Sequence, residues 1–236
     1  MKIKAVVLLT VVLAAVAGCA RGRGEGARTL PLDRREPVVY VALGDSTVEG
    51  VGATRHGADY VSRLYARLHE VYPRASVVNL GVGGATSADV RADQLERAVV
   101  LRPHLVTLSI GPNDITEQVP VSEYERNVET IFGRLTRETG AVVVVNLLPD
   151  LAVTPRFRGR ETAPAVGGLT VRFNDTLGRL ARSYGVEVVD LYRPSQVEIP
   201  RQPELVAADG YHPSDLGYER WAELVWAAVE RRIGAP

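Results

Sequence analysis

The sequence predicts an α/β protein whose parallel five-stranded sheet is covered by helices on both faces. Five short apolar runs, rich in β-branched residues, are typical of strands that are buried on both sides. Segments with apolar residues at helical spacing alternate with these runs, as in chains built from right-handed strand–helix–strand units. The expected architecture is therefore a three-layer α/β/α sandwich.

Each element is predicted from a local pattern. The predicted strands are 38–43, 76–80, 104–110, 141–148 and 186–191. The predicted helices are 59–72, 87–100, 122–139, 169–184 and 213–232, with Pro73, Gly140 and Gly185 as stop signals and Pro213 as a start signal. Residues 149–168 are rich in Pro, Gly and Arg, and we predict a long loop there that forms a wall or lid of a site.

The first 18 residues predict a signal peptide rather than a part of the fold. A basic start is followed by an apolar run over 5–17, which is shorter than the roughly 20 residues that span a membrane. The run ends at Gly18-Cys19 and resembles a bacterial lipoprotein signal, in which the cysteine is lipidated. This resemblance implies an extracytoplasmic, membrane-anchored lipoprotein, or a secreted protein if Cys19 is not lipidated. Cys19 is the only cysteine, so no intramolecular disulfide is possible.

The remaining chain is expected to form a tether and one domain. Residues 19–37 are rich in Gly, Arg and Glu with almost no apolar periodicity, which favours a flexible tether. Residues 38–236 are long enough for one domain with a sizeable core. The 28 basic residues balance the 28 acidic residues, so nothing in the charge predicts a nucleic-acid partner.

Chemically competent side chains follow several predicted strands. Ser46 comes just after the first strand, Asn113 after the third, and Asp209 and His212 precede the last helix. Because the carboxyl ends of parallel strands share one edge, we expect these residues to meet there. A histidine accepts the proton of a serine nucleophile, and an aspartate orients the histidine. Backbone amides and the Asn113 amide would stabilise an oxyanion.

These residues stand in four motif blocks that resemble those of the SGNH (GDSL-type) hydrolase family. The blocks are Gly44-Asp45-Ser46, Asn79 to Gly84, Gly111-x-Asn113-Asp114 and Asp209-x-x-His212, and they come in the family's order from about residue 38 to the C-terminus. The resemblance implies a flavodoxin-like sheet of the SGNH hydrolase type.

The resemblance also implies a role for each residue. Ser46 is the expected nucleophile, His212 the base and Asp209 the residue that orients it. The expected oxyanion donors are the Ser46 N–H, Gly84 and the Asn113 side chain. Gly81 and Gly83 stand close to Gly84, which fits the spacing from Asn79 best. No cofactor or metal is expected, because the three other histidines, at 56, 69 and 104, show no metal-ligand spacing.

The expected activity is ester hydrolysis through a Ser-His-Asp triad and an acyl-enzyme, on a small-molecule, glycan or lipid ester. The loop 149–168 offers few large apolar residues, chiefly Leu151, Val153 and Phe157, so we expect short acyl groups. Arg156, Arg158 and Arg160 are expected to form a solvated face of this loop, and the alternative is that they favour an anionic leaving group. The alternatives are a lysophospholipase- or thioesterase-like hydrolase, a glycan O-acyl transferase or esterase, and a non-catalytic binding lipoprotein.

Overall fold

The computed structural model describes residues 28–234, and its centre is one parallel sheet. The strands are β1 Val39–Gly44, β2 Ser76–Asn79, β3 Leu105–Ser109, β4 Val142–Asn146 and β5 Glu187–Val189. They lie in the order β2-β1-β3-β4-β5, and every neighbouring pair is parallel. This is the flavodoxin-like order, whose switch point lies between β1 and β3. The predicted fold class is confirmed.

Helices connect the strands and cover both faces of the sheet. They are α1 Ser46–Glu49, α2 Tyr60–Val71, α3 Ser87–Asp89, α4 Leu95–Val100, α5 Pro112–Thr116, α6 Val121–Glu138, α7 Ala163–Tyr184, α8 Tyr192–Arg201 and α9 Asp215–Glu230. A π-helical segment, Val90–Gln94, joins α3 to α4. Within residues 28–234, no helix is both long enough and apolar enough to cross a membrane.

Strand β1 shows how the two faces of the core are built. Val41 and Leu43 belong to the apolar layer that contains the inward faces of α6 and α7. Tyr40 and Ala42 point to the opposite layer, which contains α2 and α9. Successive side chains of a strand point to opposite faces, so a central strand of a three-layer fold is apolar at every position. This is why β1 reads as a continuous apolar run.

The predicted tether at 19–37 is wrong for its last ten residues, because residues 28–37 pack on the domain. Leu30 is buried, and its N–H donates to the carbonyl of Arg232 at 2.7 Å. The guanidinium of Arg34 lies 5.0 Å from the centre of the Tyr72 ring. The sequence around Leu30 gives no sign that this segment packs on the domain, because a single apolar residue has no periodicity and its partners come from distant parts of the chain. The predicted signal peptide, Cys19 and the rest of the tether lie outside the described residues.

Two further differences concern the walls around the site. The long loop predicted at 149–168 is shorter, since α7 begins at Ala163 and a 3₁₀ turn occupies Leu151–Val153. Helix α8 lies between the predicted strand 186–191 and the predicted helix 213–232, in a segment for which no element is predicted above. Pro194 lies in its first turn, where a missing N–H costs nothing, and Pro200 lies in its last turn. Tertiary packing therefore overrides the breaker signals in both segments.

Candidate active site

Ser46 lies at the carboxyl edge of the sheet, directly after the turn that ends β1. The Asp45 N–H donates to the carbonyl of Ser109 on β3 at 3.3 Å, which joins this turn to the neighbouring strand. The Asp45 side chain caps α1 by accepting from the Thr47 N–H at 2.9 Å. Ser46 is therefore the first residue of α1, and it is only 8% exposed. Its hydroxyl is held in a recess rather than on open surface.

The structure brings His212 and Asp209 to Ser46 in one hydrogen-bonded chain. The Ser46 Oγ lies 2.8 Å from His212 Nε2, and His212 Nδ1 lies 2.5 Å from Asp209 Oδ2. A carboxylate accepts only, so the Nδ1–H donates to Asp209 and Nε2 is left to accept from the serine hydroxyl. This is the tautomer that a serine nucleophile requires.

Asp209 is itself held by the backbone of its own loop. Its Oδ1 accepts from the N–H groups of Tyr211 at 2.9 Å and His212 at 3.0 Å. Burial raises the pKa of the Asp209 carboxyl, but the hydrogen bonds from His212 and these amides outweigh burial and leave its pKa below the ordinary value. Asp209 is therefore ionised at neutral pH and favours an imidazolium at His212.

The loop after α1 packs directly against the histidine loop. Gly52 has a φ of +96°, and a Cβ at this position would lie 2.5 Å from the carbonyl oxygen of Pro213 and 3.1 Å from His212 Cβ. Only glycine permits this approach. The Tyr218 hydroxyl donates to the carbonyl of Val51 at 2.6 Å, which fixes the same loop to α9. These contacts set the distance between Ser46 and His212.

The three glycines of the 81–84 loop, which are candidates for the oxyanion donor, differ in whether their backbone N–H already makes a hydrogen bond. The Gly81 N–H donates to Asn79 Oδ1 at 2.9 Å, and the Gly83 N–H donates to Glu49 Oε2 at 2.6 Å. The Gly84 N–H makes no hydrogen bond within residues 28–234, and neither does the Ser46 N–H. Of the three glycines, Gly84 therefore has the amide that remains available to an oxyanion.

Asn113 and Asp114 hold the segment that follows Gly84. One Asn113 Nδ2 hydrogen donates to the carbonyl of Ala85 at 2.9 Å, which leaves its second hydrogen for a ligand. Asp114 accepts from the Ser87 N–H at 2.9 Å and the Ser87 hydroxyl at 2.5 Å. Burial raises the pKa of Asp114 to about 6, although these bonds oppose the rise. Two adjacent residues thus position the Gly84 loop and one expected donor together.

Two residues near the site were missed by the sequence reasoning. Gln94 is buried, and its side chain accepts from the Gly44 N–H at 2.9 Å and donates to the Gly44 carbonyl at 2.8 Å. Tyr211 packs its ring edge-on against the His212 ring, with centroids 5.1 Å apart. The available signal for Gln94 was its position four residues after Val90, on the apolar face of the predicted helix 87–100. For Tyr211, the only signal in the sequence was its position next to His212.

An apolar recess with a cavity volume of about 70 Å³ lies beside Ser46 and His212. Its walls come from the 3₁₀ turn after β4, from α8 and from α9, and their apolar residues include Leu151, Leu191, Ile199, Leu205, Trp221 and Leu224. The charged residues in these walls, Glu198 and Arg220, pair with each other at 2.8 Å. The recess therefore suits an uncharged, apolar group attached at Ser46, and we call it the acyl recess.

Asp45 places a second buried carboxyl behind the nucleophile. It is fully buried, and its Oδ2 has no hydrogen-bond partner within the described part of the chain. Burial raises the pKa of Asp45 to about 6, against the opposing effects of its bonds from Thr47 and the nearby charge of His212. The ionised form of Asp45 therefore costs stability.

No group of three or more His, Cys, Asp or Glu side chains suited to holding a metal ion occurs in residues 28–234.

Comparison with known proteins points to one family. The GDSL-like lipase/acylhydrolase family matches residues 42–220. The chain is 30% identical over 209 residues to a GDSL-like esterase of Mycobacterium tuberculosis. The matched region covers 86% of this chain and 63% of the esterase, so this chain spans less than two thirds of that relative. It is 28% identical over 180 residues to an acetylxylan esterase of Geobacillus stearothermophilus, covering 69% of this chain and 76% of that one.

A solved structure with a similar fold is an α/β hydrolase from the metagenome of Lake Arreo, Spain. It superposes with a TM-score of 0.68 at 24% identity, over 84% of this chain and 97% of that chain. At this identity the likeness concerns the fold alone. The flavodoxin-like arrangement is therefore shared with a known hydrolase structure.

We predict that Asp45 makes the stability of the protein fall as pH rises. A carboxyl whose pKa is raised in the folded state stabilises the fold when it is protonated. Its contribution to the free energy of unfolding is therefore complete below pH 3.8 and is lost as pH rises through about 6. The free energy of unfolding of the wild type, relative to Asp45→Asn, should decrease by about 3 kcal/mol between about pH 4 and about pH 8. Denaturant titrations of both proteins at several pH values measure it. Parallel curves for the two proteins would contradict the prediction.

Proposed function

Because the chain belongs to the GDSL-like lipase/acylhydrolase family, we propose that it is a carboxylic ester hydrolase that acts through Ser46, His212 and Asp209. The match confirms the family that the four motif blocks predicted, and the esterases among the relatives support the predicted enzyme class. The observation that carries the residue roles is the continuous hydrogen-bonded chain, 2.8 Å from Ser46 Oγ to His212 Nε2 and 2.5 Å from His212 Nδ1 to Asp209 Oδ2.

The first half of the reaction forms an acyl-enzyme. Ser46 Oγ attacks the ester carbonyl carbon while His212 Nε2 takes the hydroxyl proton, and Asp209 stabilises the resulting imidazolium. The carbonyl oxygen becomes an oxyanion and accepts hydrogen bonds from the free amides of Ser46 and Gly84 and from the second Asn113 hydrogen. When the tetrahedral intermediate collapses, the imidazolium gives its proton to the departing alkoxide.

The second half releases the acid. A water molecule takes the place of the alcohol, and His212 accepts its proton as the water oxygen attacks the acyl carbon. The same donors stabilise the second oxyanion, and the proton returns to Ser46 Oγ as the carboxylic acid leaves. If a sugar hydroxyl replaces water, the same steps transfer the acyl group to the sugar. This residue set therefore serves both hydrolysis and acyl transfer.

The acyl recess supports a preference for short acyl groups. Its volume of about 70 Å³ is less than half of the roughly 150 Å³ of an apolar cavity that admits benzene. A chain of a few carbons fits such a space, whereas a fatty acyl chain needs an extended groove. An acetylxylan esterase among the relatives acts, by its name, on acetyl groups carried by a glycan. We propose short-acyl esters of a polyhydroxylated alcohol as the substrate class.

The N-terminal pattern supports a proposal for location. We propose that the protein is an extracytoplasmic lipoprotein anchored through Cys19, which lies outside the described residues. The support is the sequence pattern that ends in Gly18-Cys19. One acyl chain binds a membrane only marginally, so stable anchoring needs more than one chain at the modified cysteine.

We predict that replacement of triad residues abolishes turnover. Ser46→Ala and His212→Ala should each remove nearly all hydrolysis of p-nitrophenyl acetate, and the double variant should be little worse, because triad members act as a unit. Asn113→Ala should lower kcat by roughly a hundred- to a thousandfold, as the loss of one oxyanion donor does.

Labelling with a fluorophosphonate separates an enzyme from a binding protein of the same fold. The reagent should modify Ser46 in the wild type and in a Ser183→Ala control, whose replaced serine is exposed on α7. Ser46→Ala should stay unlabelled. Hydrolysis at the parental rate by purified Ser46→Ala, or labelling elsewhere, would remove the proposed mechanism.

We predict that kcat/KM falls from p-nitrophenyl acetate or butyrate to octanoate and palmitate, measured below their micelle limits. Ile199→Ala enlarges the acyl recess and should shift the preference to longer chains, by about fourfold for each additional CH₂ that becomes buried. Val197→Ala is the matched control, because Val197 lies on the same helix but is half exposed and does not line the recess. A steady rise through palmitate in the wild type would favour the lysophospholipase-like alternative.

We predict that Cys19→Ser prevents lipidation and moves the protein from the detergent-rich phase to the aqueous phase on phase partitioning. The reason is that serine lacks the thiol that carries the lipid. Partitioning of the full-length wild type and variant, expressed in a bacterium that processes lipoproteins, measures the effect. Unchanged partitioning would show that another segment holds the protein at the membrane.

A further inference from the structure

A second recess lies near the acyl recess, since Pro112 of the acyl recess and Ile115 of the second recess belong to the same short helix α5. It is a groove of about 830 Å³ between two walls. One wall runs from Ile115 on α5 to the start of α6, and the other runs from Arg156 to Arg172 on α7. No residue lines both this groove and the acyl recess. The molecule therefore offers two separate spaces, as a substrate with an acyl part and an alcohol part requires.

Both walls of the groove begin beside residues of the site. Ile115 follows Asn113 by two positions on the same short helix. On the opposite wall, the Arg156 N–H donates to the carbonyl of Gly210 at 2.9 Å, two positions before His212. The Arg156 guanidinium lies 4.7 Å from the centre of the Tyr211 ring, whose edge-on partner is the His212 ring. The groove thus lies next to the loop that carries His212 and to the helix that carries Asn113.

The charge of the groove has one sign. Arg156 and Arg172 are its only charged lining residues. Neither makes an ion pair with a carboxylate within the described residues, although many other arginines of the protein do. Glu117 and Glu161 belong to the same two segments but do not line the groove. Two guanidinium groups with free donors therefore face a space that contains no competing carboxylate.

We propose that this groove binds the alcohol part of the ester and selects a leaving group that carries a carboxylate or a phosphate, such as the acidic sugar that an acetylated acidic sugar releases. The proposal rests on the proposed function and names its substrate class. The groove volume lies within the range of about 300–1,000 Å³ that is usual for ligand sites. Guanidinium groups recognise carboxylate and phosphate through paired, charge-assisted hydrogen bonds. The polar and apolar side chains between the arginines suit the two kinds of surface on a sugar ring.

The test compares three acetylated sugars that differ at one carbon. They are an acetylated methyl glucoside, the matching glucuronide with a free carboxylate, and the matching glucoside 6-phosphate. Acetate release gives kcat/KM for each. At low ionic strength we expect the two anionic sugars to exceed the neutral one by about tenfold, equivalent to one charge-assisted contact, and we expect added salt to reduce this ratio. The carboxylate and phosphate arms show which anion is preferred.

Paired variants separate a specific site from a general electrostatic field. Arg156→Gln/Arg172→Gln should bring the ratio of anionic to neutral kcat/KM close to one. Arg158→Gln/Arg160→Gln removes the same charge from the same segment, yet neither residue lines the groove, so the ratio should stay at the wild-type value. A monosuccinyl ester of a neutral sugar, which carries the charge on the acyl side, should gain nothing from the groove arginines.

Three results would overturn the proposal. Equal kcat/KM for neutral and anionic sugars would show that the groove does not distinguish substrates by the charge of the alcohol part. If both variant pairs lose the preference for anionic sugars equally, the preference comes from the overall positive charge of the segment and not from the groove. A preference for the succinyl ester that depends on Arg156 and Arg172 would place the acyl group in the groove. p-Nitrophenyl acetate is the reference, because its hydrolysis by the wild type shows that the proposed function stands whichever result is found.

Discussion

The hydrogen bond of 2.8 Å between Ser46 Oγ and His212 Nε2 joins residues that are 166 positions apart in the chain. Much of the structure serves to maintain it. The parallel sheet brings the end of β1 to the same edge as the loop before α9. The Asp209 carboxylate orders the histidine loop, and the close approach of Gly52 to Pro213 sets the spacing between the two loops. A change at any of these points would move the Ser46 hydroxyl relative to the His212 ring.

Buried carboxyls beneath the site show a conflict between stability and function. Asp45 and Asp114 are both fully buried, and burial raises the pKa of each to about 6. Asp114 uses its charge to hold Ser87, and through it the Gly84 loop. Asp45 caps α1 through one oxygen and leaves the other without a partner. The domain tolerates these charges where they organise the nucleophile and the oxyanion donors, although burial makes them costly.

The two recesses divide the substrate into chemically different parts. The acyl recess is small and apolar, and its two charged wall residues neutralise each other. The groove is larger and carries two arginines that have no carboxylate partner within residues 28–234. Tyr211 stands between them, since its ring lines the acyl recess and also lies under the Arg156 guanidinium. Under the proposed function, recognition of the acyl group and of the alcohol is assigned to different elements of the fold.

The sequence alone determined the fold class, the family and the candidate residues Ser46, His212, Asp209 and Asn113. It could do so because these features depend on local patterns: apolar runs, helical spacing and polar residues just after strand ends. The spacing from Asn79 favoured Gly84 over Gly81 and Gly83, and the structure adds the physical distinction, since the amides of the other two already have acceptors.

Only the tertiary structure decided the features that depend on contacts between distant segments. Gln94 reaches the backbone of Gly44 from a π-helical segment 50 residues away. Leu30 is buried against the C-terminal end of the chain. Helix α8 forms in spite of its prolines and supplies a wall of the acyl recess. In each case the stabilising partner is remote in sequence, and a local pattern carries no information about a partner that only folding brings near.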